Sequence, residues 1–112
     1  MLYRAFILFL FLFSNAQAYA ATYSFKGAVR DIVVKPTFNP YAIFYIEGFT
    51  AAGVCKTYSS HVIMSITNDE RGKAIYSLVL SSYMAGKDLR VTVVDTDIDP
   101  DGYCRVREVR VR

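Results

Sequence analysis

Four groups of residues in this 112-residue chain carry atoms suited to chemistry. The first is Asp97-Ile98-Asp99-Pro100-Asp101-Gly102, which with Glu108 fits the calcium-loop expression D-x-D-x-D-G-x5-E. Hard oxygen ligands at alternate positions around a Gly turn can wrap Ca²⁺. The flanks, however, read as strands where that motif needs helices, and Arg105 takes a position that usually supplies an oxygen. An acidic β-hairpin tip rich in turn formers is the better reading, and no metal is expected. The second group is Lys56-Thr57-Tyr58-Ser59-Ser60-His61. Glycan sites combine an aromatic platform with hydrogen-bonding groups, so Lys56, Tyr58, Ser59, Ser60 and His61 are the candidate ligand-binding residues. The competing reading is an ordinary solvated loop. His61 is the only histidine, and nothing near it in sequence is arranged as a nucleophile or an acid partner. Third, Arg105, Arg107, Arg110 and Arg112 make a basic last strand that could track a nucleic-acid backbone. Asp95, Asp97, Asp99 and Asp101 lie beside it, so a salt-bridged, solvated edge is expected and no nucleic acid. Gly72-Lys73 lacks the spacing and feeding strand of a phosphate loop. With no nucleophile elbow and no paired glutamates, the chain is expected to be no enzyme and to take no cofactor.

The fourth group is Cys55 and Cys104, and its chemistry depends on compartment. Arg4 precedes the apolar run Ala5 to Phe13, and Ala16-Gln17-Ala18 supplies small residues at cleavage spacing. That run is shorter than the roughly 20 residues a spanning helix needs. The expectation is a cleaved signal peptide over 1–18 and a single domain over 19–112, secreted or periplasmic, with no membrane contact after cleavage. In an oxidising compartment two thiols read as one disulfide. A bridge closing about 50 residues contributes roughly 4 kcal/mol, which a domain with so small a core needs. Loss of Arg4 takes the net charge from +3 to +2, too weak to imply an anionic polymer or surface.

The elements that must hold these groups are strands around one helix. Glu70 to Ala85 repeats its apolar residues at three- and four-residue steps. Thr67 and Glu70 have capping-box spacing, and Gly86 stands where a left-handed C-terminal cap belongs. Ile75, Leu78 and Val79 can face a sheet. Tyr76, Leu80, Tyr83 and Met84 form a further apolar row, while Lys73, Ser77 and Ser81 are the polar strip. Before the helix, Tyr23 to Val34 alternates with a phase flip at Arg30-Asp31, as a bulged strand does, and Gly27 permits a sharp curve. Ala42 to Phe49 and His61 to Ile66 are the next strands, separated by a loop over 50–60. After the helix come Leu89 to Val94, an acidic turn over 95–102, and Cys104 to Val111 with a second phase change. The order β-β-β-α-β-β suits a small five-stranded OB-like Greek-key barrel, mainly β, with its helix between strands three and four. An open α+β sheet is the alternative.

The stretch GKAIYSLVLSSYMAGKDLRVTVV, with a Cys in the preceding loop and a Cys-bearing last strand YCRVREVRV, resembles a group of small secreted bacterial proteins. These are similar to the OB-fold B subunits of pertussis-like and subtilase-type AB5 toxins. The resemblance implies a barrel that pentamerises around its helices and binds a host-surface glycan receptor. No sugar-binding residue transfers from it. It makes Tyr76, Leu80, Tyr83 and Met84 the expected homo-oligomer interface. The competing class is a periplasmic or envelope module that binds another protein, as an inhibitor or adaptor.

Overall fold

The computed structural model describes residues 20–111; the expected leader over 1–18 lies outside them, as does Arg112. Nine elements follow in chain order. Strands β1 (Thr22–Gly27), β2 (Val29–Val34) and β3 (Ala42–Ile46) precede a short pair, β4 (Thr57–Tyr58) and β5 (His61–Val62). Then come β6 (Met64–Ile66), helix α1 (Glu70–Ala85), β7 (Leu89–Ile98) and β8 (Cys104–Val111). The domain is mainly β, with α1 as the single helix among the described residues.

Six strands form one mixed sheet in the order β1-β7-β8-β6-β3-β2, antiparallel except for the parallel β6–β8 pair. Its two outermost strands are consecutive in sequence and joined only by Ala28. The sheet therefore curls until its ends are covalently continuous. Gly27 permits this bend through close approach: a Cβ there would lie 2.7 Å from the Glu47 carbonyl oxygen and from Ile46. The expected bulge is present, with a register shift between Arg30 and Val33 and Asp31 at φ 48°. A second shift, where Thr92 pairs with Glu108 but Val93 with Val106, produces the phase change in the last strand.

Alternation along the strands puts Val29, Ala42, Phe44, Ile46, Leu89, Val91, Val93 and Val106 inside. Val79 closes the core from the helix, which packs on β2, β6 and β8. Burying an aliphatic or aromatic side chain of this kind contributes about 1.5–3 kcal/mol. Cys55 and Cys104 are bridged, with Cα atoms 5.3 Å apart, and both are buried.

Several boundaries differ from the sequence expectations. The second strand ends at Ile46, not Phe49, because Gly48 turns the chain at φ 89°. The expected third strand is two pieces, β5 and β6, and β5 pairs back onto β4 inside what reads as a loop. β7 runs on to Ile98, so Asp95 and Asp97 belong to the strand and the acidic turn is shorter. Helix α1 is capped by Asp69, not Thr67: Asp69 Oδ1 accepts the Gly72 N–H at 2.7 Å, and the Thr67 hydroxyl donates to the same oxygen at 2.9 Å. Gly86 does take the left-handed cap at φ 66°. Leu78 faces outward, whereas Val79 and Ser82 are buried.

Candidate functional site

The outer face of β2 and β3 floors a groove of about 510 Å³ with Val33 and Ile43, which pair across the ladder. One wall is the β2–β3 connection, carrying Lys35, Phe38, Asn39 and Pro40; the other is Lys56 with Asp101 and Tyr103. Both walls are held by polar bonds. In the first, Lys35 N–H donates to the Tyr41 carbonyl at 2.7 Å and Phe38 N–H to Lys35 at 3.0 Å. The Asn68 amide donates to the carbonyls of Pro36 and Phe38 at 3.2 and 2.8 Å. In the second, Asp99 Oδ1 accepts the N–H groups of Asp101 and Tyr103, each at 2.9 Å. This is the local side-chain capping that makes Asp a turn residue. The other oxygen, Asp99 Oδ2, is buried without a partner.

The disulfide joins the halves of the second wall. Lys56 follows Cys55 directly, and Tyr103 directly precedes Cys104. Lys56 N–H donates to the Gly102 carbonyl at 3.1 Å, and its ammonium reaches the Asp101 carbonyl at 3.4 Å. That ammonium also stands 5.3 Å from the centre of the Tyr103 ring, within cation–π range. The groove thus offers aromatic and aliphatic surface together with two ammonium groups and an amide. Such a combination is able to bind and orient a polar ligand.

Of the five candidate binding residues, only Lys56 lines this groove. The other four ride on the β4–β5 hairpin. Tyr58 is 70% exposed, Ser59 and Ser60 form the turn, and His61 stacks against Tyr45 at 4.5 Å between ring centres. Sequence reasoning missed Lys35, Phe38, Asn39, Asp101 and Tyr103. One usable signal existed for Tyr103: a residue beside one half-cystine comes close to the neighbour of the other.

The calcium expression is spread along a ladder. Asp97 pairs with Arg105 at 3.1 Å and Arg107 at 3.3 Å. Glu108 stands opposite Thr92 and pairs with Arg110 at 2.7 Å. Arg105, Arg107 and Arg110 are accordingly salt-bridged, on a strand that lies between β7 and β6 and not at the edge of the sheet. Pairs this accessible to water contribute about 0–1 kcal/mol each.

On α1, Leu80, Tyr83 and Met84 are exposed, Met84 by 76%. Tyr76 is half-buried, edge-on to Tyr41 at 5.4 Å. Tyr76, Leu80 and Tyr83 border a shallow depression of about 310 Å³ with Ile32 and Val34. Lys73, Ser77 and Ser81 are exposed beside the row. Among the described residues, no helix is long and apolar enough to cross a membrane. No known family model matches the chain, nor does any curated protein or solved structure.

Proposed function

We propose that this is a secreted or periplasmic, non-catalytic oligosaccharide-binding protein built on an OB-type barrel, and that it self-associates through α1 as AB5 B subunits do. For the barrel, the support is the sheet order, the parallel β6–β8 pair and the helix between β6 and β7. Counting β1 and β2 as one bent strand gives the five strands of that fold. One observation carries the functional reading: the position of the groove. OB barrels bind oligosaccharides and oligonucleotides on the face of their second and third strands, between the first connection and the last. Here the groove lies on the outer face of β2 and β3, the first and second strands in that count, between the β2–β3 connection and the β7–β8 turn. It thus shares with those sites the second strand and the two flanking connections. A net charge of +2 after loss of the leader favours a sugar over a polyanion.

The test is a glycan array probed with the protein lacking residues 1–18, beside a Lys56→Ala/Tyr103→Ala double variant. Retention of a defined set of glycans, lost in the variant, is the expected outcome. An empty array, or binding indifferent to the two changes, would remove the reading. The exposed helix row also favours a second reading, a monomeric envelope module whose partner is another protein, and native mass separates the two.

A further inference from the structure

We infer that the ligand face extends beyond the groove to a second sugar subsite, formed by Tyr45, His61 and the β4–β5 hairpin. The inference rests on the oligosaccharide reading and specifies how much of the sugar chain is held. Ile43 and Tyr45 alternate onto the same outward side of β3, while Ala42, Phe44 and Ile46 point inward. Ile43 pairs with Val33 in the groove floor, and Tyr45 pairs with Arg30. The two positions are two residues apart on one strand, about 7 Å, so a ligand laid along β3 from the groove reaches Tyr45 next.

What it meets there is built for a sugar ring. Tyr45 and His61 stack with their planes 32° apart, and Tyr58 is paired with His61 across the hairpin. Aromatic rings of this kind give apolar surface with a polar handle at one edge. His61 Nδ1 lies 3.0 Å from the Ser59 carbonyl oxygen. A carbonyl can only accept, so Nδ1 carries the proton and Nε2 is the acceptor the neutral ring offers to a hydroxyl. The Arg30–Glu47 pair, 3.0 Å apart, flanks the platform with further donors and acceptors.

The hairpin turn points the same way. Ser59 and Ser60 both adopt left-handed backbone, at φ 51° and 67°. A two-residue turn of this type is filled most cheaply by Asn-Gly or Asp-Gly, so two serines there are strained. That strain fits a turn kept for its hydroxyls, and an outlier of this sort is a reason to look for function.

The sole histidine makes the test direct, because its ring resonances are unique in the NMR spectrum. The probes are a monosaccharide, a disaccharide and a tetrasaccharide that share one terminal sugar, chosen from the array and titrated into the oxidised protein lacking residues 1–18. The monosaccharide should shift the Tyr103 ring and leave His61 still; the tetrasaccharide should shift both. Tyr45→Ala should weaken the tetrasaccharide roughly tenfold without changing monosaccharide affinity, and Tyr45→Phe should restore it. If the tetrasaccharide shifts Tyr103 but not His61, or Tyr45→Ala weakens every probe equally, the second subsite is wrong and the groove stands. If no sugar shifts either ring, the oligosaccharide reading falls and the subsite with it.

Discussion

The groove and the outer row of α1 are opposites in construction. The groove walls are irregular chain fixed by polar bonds: the Asn68 amide on one side, the Asp99 carboxylate and the disulfide on the other. The helix row is regular structure whose apolar side chains the protomer leaves open, with Leu80 37%, Tyr83 49% and Met84 76% exposed. A site fixed by directional bonds selects a ligand by shape and hydrogen bonding. An open apolar row offers area, and contiguous exposed patches of that kind mark surfaces for other macromolecules. Under the proposed reading recognition falls to the groove and assembly to the helix row, so each should be separately breakable.

The largest expected effect falls on the groove side. Cys104→Ser should cost about 2–5 kcal/mol of stability and abolish sugar binding even where the variant is still folded, because Lys56 and Tyr103 lose their covalent link. Chemical denaturation beside the array measures both; full binding by the reduced protein would break the proposed dependence of the groove on its bridge. An intermediate effect belongs to the helix side. Leu80→Asp should change stability by only about 0.5 kcal/mol, as at other open surface positions, yet reduce the native mass from oligomer to monomer. Affinity for a single soluble sugar should persist while avidity on a dense array falls. A wild-type protein that sediments as a monomer at tens of micromolar would erase the contrast, leaving the helix row to a different partner.

The smallest effect serves as a control between the two. The Asp69 carboxyl is held below its ordinary value, first by the Gly72 N–H and then by the Thr67 hydroxyl. A depressed folded-state value means its contribution is present above the ordinary carboxylate range. It is lost as pH falls through the folded value, below about pH 4. Asp69→Asn should keep the cap and flatten that acid limb in a helical circular dichroism titration, whereas Asp69→Ala should lower the melting temperature by a few degrees. Neither should alter sugar binding. If Asp69→Ala does alter it, the helix and the groove are coupled and the division of labour is false.

How much of this could be seen in the sequence depended on range. Local signals held where the chain alone decides: Gly86 at the helix end, the bulge after Arg30, the two cysteines. The helix face was harder. Apolar residues occupy most of its circumference, so periodicity cannot say which row meets the sheet: of the adjacent Leu78 and Val79, only Val79 is buried. Ser82 is buried while Met84 is open, contrary to what polarity alone suggests. The groove was least legible of all. Its walls come from positions 35–40, 56 and 101–103, segments that meet only through sheet order and the disulfide. The hairpin was hidden because Ser59-Ser60 is not a pair that announces a tight turn.

The order of the strands also sets when the molecule can exist. β1 finds its partner in Val94 to Leu89, and the Ala21 N–H in Asp95, 74 residues away. Nothing earlier in the sheet pairs with β1, and Cys55 waits equally for Cys104, although β6 already has β3 on its other side. At ordinary elongation rates the first strand therefore spends on the order of ten seconds unpartnered, and contacts this distant form slowly in any case. β2, β3, β6 and α1 can meet while the chain is being made, but the sheet cannot close until nearly its whole length is free. Thr22, Ser24 and Lys26, exposed at every second position of β1, suit a strand that must wait in water without pairing with the wrong neighbour.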